Sequence, residues 1–372
     1  MELKPGFSAF VTGGASGIGR ALSLALAGKG VFVTVVDLSE EKGNEVAALV
    51  EKENAKFHSN LGFPSAMFIR CDVTNTRDTS AAFEKHVAAY GGLDICINSA
   101  GISNPIPFHE DQTDGTRSWR FTVDVNLVAV IDCTQKAIGI IQAAKKPGVI
   151  INMGSSAGLY PFYTDPIYSA SKGGVVLFTR SLTPYKSKGI RINVLCPEFV
   201  ETELALKAGS KLIDLVGGFV PMDTVVKGAF ELITDESKAG SCLWITNRRG
   251  MEYWPTSEEE AKYSVSSSGS MKRFSSQVPS NLNVRVPESF EKLMIYFIFE
   301  SRNSKKDPVV IWLTGGPGCS SELAVFYENG PFSIADNMSL VWNEHGWDKA
   351  SNLLYVDQPT GTGFSYPSDK RG

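Results

Sequence analysis

Short apolar runs alternate with helix-length stretches from residue 7 to about residue 246. The runs are FSAFVT, VFVTVVD, AMFIRCD, LDICINSA, GVIINMG, IRINVLCP and CLWITN. They are apolar throughout instead of at every second position, which is typical of strands in a sheet covered on both faces. Strands that alternate with helices favour parallel pairing through helical crossovers. The pattern therefore predicts a doubly wound α/β domain with a seven-stranded parallel sheet.

This pattern ends after residue 255. Residues 256–281 are rich in serine, poor in large apolar residues and without periodicity, so they predict a linker. Apolar runs resume in KLMIYFIFESR, PVVIWLTGG and NLLYVDQP. We therefore expect a domain over 1–255, a Ser-rich linker over 256–281 and a smaller segment over 282–372. A partial sheet in this last segment would leave apolar faces uncovered.

Charge and hydropathy narrow the classes of partner. The chain has 372 residues and a formal net charge of -4, with Lys and Arg spread along its length. A nucleic acid or an anionic membrane surface would favour a basic cluster, so we expect neither as a partner. The N-terminus lacks the pattern of a signal peptide, and no apolar run approaches the roughly 18 residues that span a bilayer. We therefore expect no secretion and no membrane span, and favour chemistry on a small molecule.

The cysteines show no metal-binding pattern. They lie apart without Cys-x-x-Cys spacing, and the four histidines do not adjoin them in metal-ligand patterns. The six are Cys71, Cys96, Cys133, Cys196, Cys242 and Cys319. Buried thiols of this kind fit a reducing compartment. The sequence thus predicts a cytoplasmic protein without a metal site.

The first apolar run is followed by TGGASGIG, Thr12 to Gly19, and by a helix-forming stretch. Such glycines let a dinucleotide pyrophosphate approach a helix N-terminus, where unpaired N–H groups favour anions. An ordinary strand–helix turn has the same composition. Asp37 ends the second run, where a carboxylate accepts hydrogen bonds from the adenosine ribose and repels a 2′-phosphate. We therefore expect NAD in preference to NADP. The predicted binding residues of this region are Gly13, Ser16, Gly17, Ile18, Gly19 and Asp37.

Tyr168 and Lys172 are four residues apart in a helix-forming stretch, downstream of Ser155. This spacing places two side chains on the same face of a helix. A tyrosine, whose free pKa is about 10, needs a nearby cation to act as an acid or base near neutral pH. Lys172 carries such a charge, although a surface helix pair would have the same spacing.

With these motifs in order, residues 5–250 resemble the short-chain dehydrogenase/reductase family, and most of all its 15-hydroxyprostaglandin dehydrogenase-like members. The motifs are TGGASGIG, CDV, NSAG, VNL, YSASK and RINVLCPEFVET. The resemblance implies a Rossmann-type fold, with Tyr168 as catalytic acid or base. It implies that Lys172 binds the nicotinamide ribose and lowers the pKa of Tyr168, and that Ser155 holds the substrate oxygen. The further implied positions are Asn126 for a water in the proton relay, Asp72 and Val73 beside adenine, Asn98, Ala100 and Gly101 along the cofactor, and Val200 and Thr202 at its nicotinamide end.

The chain departs from the family in one visible place. Glu198 follows Pro197, where the family usually has glycine. A side chain there would reshape the nicotinamide pocket. Residues 203–222 correspond to the substrate lid of the family, and their apolar composition favours a hydrophobic secondary alcohol or ketone. Core packing of that stretch would explain the same composition.

Residues 293–370 resemble the N-terminal part of the serine carboxypeptidases, which are α/β-hydrolases with a Ser-Asp-His triad. WLTGGPGCSS, FYENGPF and WNEHGWDKASNLLYVDQPTGTGFSY carry this resemblance. It implies an oxyanion N–H at Gly316 and recognition of the substrate carboxylate by Glu328, while Thr314 stands where many members have asparagine. No Gly-x-Ser-x-Gly nucleophile motif follows residue 282. We therefore expect a truncated α/β-hydrolase fragment without carboxypeptidase activity.

Together these features predict an NAD-dependent oxidoreductase that interconverts a secondary alcohol and a ketone by a Ser-Tyr-Lys-Asn mechanism. Two other functions stay open, a serine carboxypeptidase and a non-catalytic NAD-binding fusion protein. A gene fusion and a mis-joined gene model would each join a dehydrogenase to part of a peptidase. The resemblance also implies a homodimer or homotetramer formed through the first domain.

Overall fold

The computed structural model describes residues 2–59, 61–116, 118–206, 213–214, 217–256, 292–293, 296–313, 322–334, 340–356 and 366–367. The chain divides into two compact units, Met1–Lys262 and Tyr263–Gly372. The predicted domain end at residue 255 lies close to this division. Residues 257–281 of the predicted linker lie outside the described residues.

The first unit is built on one sheet, in which eight strands are described. They are β1 (Ser8–Thr12), β2 (Phe32–Asp37), β3 (Ala66–Arg70), β4 (Ile95–Asn98), β5 (Gly148–Met153), β6 (Ile190–Pro197), β7 (Cys242–Thr246) and β8 (Gly250–Trp254). Their order is β3-β2-β1-β4-β5-β6-β7-β8, and β1 to β7 pair in parallel. The predicted sheet of seven parallel strands is therefore confirmed.

The eighth strand is an addition that the sequence analysis did not predict. β8 pairs with β7 in antiparallel fashion after a turn at residues 247–249. Gly250 follows this turn with φ +76°, a conformation that suits glycine. The run GMEYW is short and has a polar residue at its centre, so it does not resemble the buried strands. An edge position tolerates such a half-exposed strand.

Helices cover both faces of the sheet. They are α1 (Gly17–Ala27), α2 (Glu40–Asn54), α3 (Thr76–Tyr90), α4 (Trp119–Val123), α5 (Ala129–Ala144), α6 (Pro166–Ser181), α7 (Glu203–Leu206) and α8 (Met222–Thr234). Side chains of α1, α2 and α8 pack with Ala9 and Val11 on one face. Side chains of α3 and α5 pack with Phe10 on the other face. Because successive residues of a strand point to opposite faces and both faces are covered, every residue of β1 is buried.

One described helix of the first unit is long and apolar. α4, a π-helical segment at Asp124–Val128 and α5 run on as the 26 residues Trp119–Ala144. The most apolar window of this helix has a mean hydropathy of 1.4, so by length and composition alone it could cross a membrane. Isolated charges divide this helix into short apolar runs, so the sequence shows no long apolar stretch there, and the expectation of no membrane span stays a prediction. Cys133, Ala137 and Ile141 are buried in the core beside the sheet, so packing accounts for this apolar face.

The strand order reverses between β1 and β4, which are neighbours although β2 and β3 intervene in sequence. Thr12 and Asn98 pair there as the last residues of their strands. In doubly wound sheets a crevice forms at such a point, outside the carboxyl ends of the strands. The fold thus places the loops after β1, β4, β5 and β6 around one site.

The second unit contains a small mixed sheet. Its described elements are β9 (Lys292–Leu293), β10 (Tyr296–Phe299), β11 (Val309–Trp312), α9 (Glu322–Tyr327), β12 (Phe332–Ile334), β13 (Leu340–Trp342), β14 (Asn352–Val356) and β15 (Tyr366–Pro367). β14 lies between β10, which is antiparallel to it, and β11, which is parallel. Ala324 and Val325 of α9 form a buried cluster with Leu353 and Tyr355 of β14.

The residues that the carboxypeptidase resemblance singled out are only partly described. Gly316 and Thr314 lie outside the described residues, and Glu328 is exposed just after α9. Apolar side chains of β11 are exposed as well, with 68% exposure at Val309 and 59% at Ile311. This exposure agrees with the expectation that a partial sheet leaves an apolar face uncovered.

Candidate active site

A cleft of about 680 Å³ lies at the carboxyl ends of the parallel strands. Its volume is typical of a small-molecule site. Most of the residues predicted for catalysis or cofactor binding line it, namely Gly13, Ser16, Gly17, Ile18, Gly19, Asp37, Asp72, Val73, Ala100, Gly101, Ser155, Tyr168, Lys172, Val200 and Thr202. Asn98 and Asn126 are buried and do not belong to this lining.

The turn from β1 into α1, residues 13–19, forms a glycine cradle. Gly13 has φ +63°, and a β-carbon there would lie 2.8 Å from the Ala100 backbone. At Gly19 a β-carbon would lie 2.1 Å from the Gly13 carbonyl oxygen. Within the described first unit, the Ser16 side chain makes no hydrogen bond to the first turn of α1. The N–H groups of that turn are therefore left for an anion, so the cradle fits a dinucleotide pyrophosphate.

Asp37 lies at the end of β2, beside the glycine cradle. Its carboxylate accepts hydrogen bonds from the backbone N–H groups of Ala15 and Ser39, both at 3.1 Å. These two bonds fix the orientation of the carboxylate. A carboxylate has further lone pairs, which suit the hydroxyl groups of a ribose.

Asn98 lies in a buried polar network below the cleft. Its Nδ2 donates to Asn152 Oδ1 at 2.8 Å and to Thr134 Oγ1 at 3.1 Å. Asn152 Nδ2 continues the network to Thr179 Oγ1 at 2.9 Å. These bonds occupy the side chain of Asn98, and the expectation that Asn98 lies along the cofactor stays a prediction. Its side chain points towards α5, whereas Gly101 lines the cleft.

Tyr168 and Lys172 line the cleft from one side of α6, as their spacing predicted. Asp165 caps this helix by accepting the Tyr168 N–H at 2.9 Å, and Pro166 occupies the first turn. Lys172 Nζ lies 5.7 Å from the centroid of the Tyr168 ring and donates to the Met153 carbonyl oxygen at 2.8 Å. Because Lys172 is only 3% exposed, this bond holds its ammonium group within the wall of the cleft.

Burial dominates the acid–base properties of this pair. It raises the pKa of Tyr168 to about 12, and a hydrogen bond with Ser155 lowers that pKa only in part. Burial lowers the pKa of Lys172 to about 8. The pKa of Tyr168 is therefore raised in this arrangement, and the expected lowering of it by Lys172 stays a prediction. The physical reason is that the loss of water around a phenolate outweighs the contacts that stabilise it.

Asn126 holds the loop after β4 instead of lining the cleft. Its Oδ1 accepts the Ile102 N–H and its Nδ2 donates to the Ile102 carbonyl oxygen, both at 2.8 Å. Nδ2 also donates to Ser171 Oγ at 3.1 Å. A β-carbon on Gly101 would lie 3.4 Å from both Asn126 Oδ1 and Lys172 Nζ. The π-helical segment that carries Asn126 thus places it next to the lysine, and such segments occur frequently at functional sites.

An aromatic wall, which the sequence analysis did not single out, forms part of the cleft. It consists of Phe121, Tyr160, Phe162, Phe199 and Trp244. The ring centroids of Tyr160 and Trp244 are 5.3 Å apart, and those of Phe162 and Phe199 are 5.9 Å apart. The tryptophan in the strand CLWITN is a sequence signal that could have indicated this wall, because large aromatic side chains are common in ligand pockets.

Glu198 lines the cleft, as its position after Pro197 suggested. The Asn247 N–H donates to its Oε2 at 3.2 Å, and burial raises the pKa of this carboxyl group. Of the predicted lid over 203–222, residues 207–212 and 215–216 lie outside the described residues. A β-carbon on Gly17 would lie 3.1 Å from Thr202 Cγ2, so the chain just before the lid contacts the glycine cradle.

The described cysteines are free and buried. They are Cys71, Cys96, Cys133, Cys196 and Cys242, and Cys319 lies outside the described residues. Cys196 Sγ and Cys242 Sγ are 3.5 Å apart on neighbouring strands. Among the described residues, no group of three or more His, Cys, Asp or Glu side chains is placed to hold a metal ion.

Two family models match the chain. A short chain dehydrogenase model matches residues 8–212, which include the glycine cradle, Tyr168 and Lys172. A serine carboxypeptidase model matches residues 282–372. The two predicted resemblances are therefore confirmed.

Individual relatives likewise match either the first or the second part of the chain. It is 33% identical over 264 residues to 15-hydroxyprostaglandin dehydrogenase [NAD(+)] of Macaca fascicularis, covering 66% of this chain and 92% of that relative. It is 75% identical over 87 residues to serine carboxypeptidase 3 of Hordeum vulgare, covering 23% of this chain. The chain spans 17% of the length of that peptidase.

A solved structure agrees with the fold of the first unit. The 3-ketoacyl-(acyl-carrier-protein) reductase from Brucella melitensis, in complex with NADH, is 25% identical with a TM-score of 0.59. The match covers 66% of this chain and 99% of the reductase chain. Nearly the full length of the reductase therefore aligns with a part of this chain that is about as long as the eight-stranded unit.

Proposed function

The chain belongs to the short-chain dehydrogenase family, and on that premise we propose that it is an NAD-dependent oxidoreductase that interconverts a secondary alcohol and a ketone. The observation that carries this proposal is the placement of Tyr168 and Lys172 on one side of α6. Both line the cleft that the glycine cradle also lines. A phenol in this position is suited to transfer a proton to or from a substrate oxygen beside a bound dinucleotide.

The glycine cradle and Asp37 support NAD as the cofactor. The N–H groups at the start of α1 would hold the pyrophosphate, and Asp37 would accept hydrogen bonds from the ribose and repel a 2′-phosphate. The macaque relative is named for NAD(+), and the Brucella reductase was solved with NADH. When bound, NAD would accept the hydride from the substrate carbon, and NADH would return it.

The four residues predicted for catalysis then have the following roles. As a phenolate, Tyr168 takes the proton of the alcohol during oxidation, and as the resulting phenol it returns the proton during reduction. Ser155, which is hydrogen bonded to Tyr168, holds the substrate oxygen. Lys172 binds the nicotinamide ribose and places a positive charge 5.7 Å from the Tyr168 ring. Asn126 fixes Ile102, and the water that it would anchor in a proton relay stays a prediction.

The aromatic wall favours a hydrophobic, small-molecule substrate. Flat apolar side chains bury apolar substrate surface, and edge or stacked contacts add to the affinity for rings. Glu198 adds a carboxyl group to the same cleft, where it would repel an anionic substrate. We therefore propose an uncharged, apolar secondary alcohol or ketone.

For the second unit we propose no peptidase activity in this chain. The segment from residue 282 onward has no Gly-x-Ser-x-Gly motif, and it corresponds to 17% of the barley peptidase. A protein without a nucleophile and its base has lost the chemistry of the triad. A cytoplasmic location also stays a prediction. So does a homodimer or homotetramer formed through the first domain.

The test uses the full chain. Purified protein is given NAD or NADP and a panel of apolar secondary alcohols while NADH absorbance is followed, and binding of NADH is measured separately by fluorescence. We expect turnover by the wild type and a loss of roughly a thousandfold in Tyr168→Phe, which removes the general acid–base. NADH should still bind to this variant.

Two results would contradict the proposal. A wild type that binds NADH but oxidises none of the alcohols and reduces none of the ketones would favour the non-catalytic NAD-binding alternative. Covalent labelling of the chain by a fluorophosphonate, lost on replacement of a serine after residue 282, would favour the carboxypeptidase alternative.

A further inference from the structure

Asp165 links the start of α6 to the loop that follows β4. Its Oδ1 accepts the Tyr168 N–H at 2.9 Å. Its Oδ2 accepts the Ser103 hydroxyl at 2.7 Å and the Asn104 N–H at 3.1 Å. The residue is only 3% exposed, so these three donors take the place of water around a buried carboxylate.

A helix cap alone would need only the first of these bonds, because a single side-chain oxygen satisfies an N-terminal N–H. The second oxygen, Oδ2, accepts both of its hydrogen bonds from the loop after β4. Ile102 and Ser103 of that loop line the cleft. Ile102 is held from another side by Asn126. Asp165 therefore joins a wall of the cleft to the helix that carries Tyr168.

We propose that Asp165 is a positioning residue of the reaction, which fixes the Tyr168 hydroxyl relative to the loop 101–104 that lines the substrate cleft. This inference rests on the proposed oxidoreductase function. It goes beyond that function because Asp165 does not line the cleft and acts only through the residues that it holds.

The charge of Asp165 gives this role a pH signature. The titratable groups that face Tyr168 are Asp165 at the start of its own helix, Lys172 one turn along it and Cys196 on β6. The negative charge of Asp165 raises the pKa of Tyr168 because it disfavours a phenolate. The Cys196 thiol stays neutral, since burial raises its pKa well above the usual value. Asp165 thus contributes to the pH at which Tyr168 ionises.

Two variants distinguish the hydrogen bonds that Asp165 makes to the loop from the effect of its negative charge on Tyr168. Asp165→Asn keeps an oxygen for the Tyr168 N–H, but it removes the charge and turns an amide N–H2 group towards the Asn104 N–H. Ser103→Ala removes one bond to the loop and keeps the charge. Both are made in the full chain, and kcat and KM are measured for an apolar secondary alcohol with NAD across the pH range.

The matched control is Asp94→Asn. Asp94 Oδ2 also accepts a backbone N–H and a hydroxyl, both from Ser8, at 2.8 and 3.3 Å. It precedes β4 and therefore lies at the amino end of the sheet, away from the cleft. This variant reports what the loss of a hydrogen-bonded carboxylate costs the fold without touching the site.

We expect Asp165→Asn to lower the plateau value of kcat/KM by roughly tenfold or more, because a buried charged hydrogen bond is lost. Its pH profile should also move to lower pH. Ser103→Ala should lower kcat/KM a few-fold without moving the profile, and Asp94→Asn should change neither. The ionisation of Tyr168, read as tyrosinate absorbance against Tyr168→Phe in each background, should shift in the same way as the pH profile.

The inference is overturned if Asp165→Asn matches Asp94→Asn in both kcat/KM and the pH profile, since Asp165 would then be a helix cap only. If Asp165→Asn does not fold, Asp165→Ser keeps the cap while losing the loop bonds and the charge, and the same comparison decides. A wild type without any turnover would refute the proposed function. The tyrosinate titration would still show whether Asp165 acts on Tyr168, because it requires no turnover.

Discussion

Lys42 Nζ lies 2.7 Å from Glu203 Oε1, so an ion pair joins α2 to α7 although the two residues are 161 positions apart. Lys42 follows Asp37 by five residues, and Glu203 lines the cleft. The pair therefore connects the side of the site where the adenosine would bind to the start of the lid. The Lys42 side chain is about half exposed and that of Glu203 is mostly exposed, so salt should loosen the pair.

This ion pair predicts faster release of the cofactor from Glu203→Gln. At low ionic strength we expect NADH to dissociate roughly two- to fivefold faster than from the wild type, as suits the loss of one exposed pair. The difference should disappear at high salt. Stopped-flow fluorescence of NADH measures both rates. Glu53→Gln, which breaks the exposed pair with Lys56, is the control and should release NADH at the wild-type rate.

Replacement of Asp37 tests the preference for NAD over NADP. Asp37→Asn removes the negative charge and places an amide where the N–H groups of Ala15 and Ser39 need an acceptor. We expect kcat/KM for NAD to fall roughly tenfold or more. The discrimination against NADP should shrink, because the repulsion of a 2′-phosphate is gone. An unchanged ratio of the two kcat/KM values would show that Asp37 does not select the cofactor.

Gly13 and Gly91 allow a matched test of the glycine cradle. Both have positive φ, +63° and +74°, but a β-carbon on Gly13 would lie 2.8 Å from the Ala100 backbone, whereas nothing lies within 4 Å at Gly91. Gly91→Ala should therefore cost only backbone strain, about 1–2 kcal/mol. Gly13→Ala should also lose NADH binding. Titration of NADH fluorescence measures this, and equal dissociation constants for the two variants would contradict the cradle.

The parts of the site that local patterns determine could be predicted from the sequence. Four-residue spacing places Tyr168 and Lys172 on one side of any α-helix, whatever packs around it. The glycines of residues 13–19 and the apolar strands depend likewise on short-range geometry. The structure has these local elements as predicted because their structural cause lies within a few residues.

The parts that depend on distant contacts could not be predicted. Asp165 and Ser103 are 62 positions apart, so no local pattern shows that they meet. Asn98 belongs to a motif whose later residues line the cleft, but the pleat of β4 directs its own side chain to Thr134. The pKa of Tyr168 depends on how much water the assembled fold excludes, and no spacing in the sequence gives that quantity.

Lys172 predicts a pH dependence of the stability of the first unit. Burial lowers its pKa from 10.5 to about 8. Between these two pH values the unfolded chain still holds the proton that the folded chain has released. The unfolded state then binds more protons, so the free energy of unfolding rises with pH. The full difference corresponds to about 3 kcal/mol, at about 1.4 kcal/mol for each pH unit.

Lys172→Met removes this titration and keeps a long side chain. Denaturant unfolding is followed by the helical circular dichroism signal, which comes mainly from α1 to α8, between about pH 7 and pH 9.5. This range stays below the pH at which an unfolded tyrosine ionises, near 10. We expect the wild type to gain stability relative to Lys172→Met by up to about 2 kcal/mol as the pH rises. Lys146→Met, at an exposed lysine, is the control. A difference between the wild type and Lys172→Met that stays constant with pH would show that the buried amine keeps its proton throughout. It would then remain a cation beside Tyr168 across the whole range.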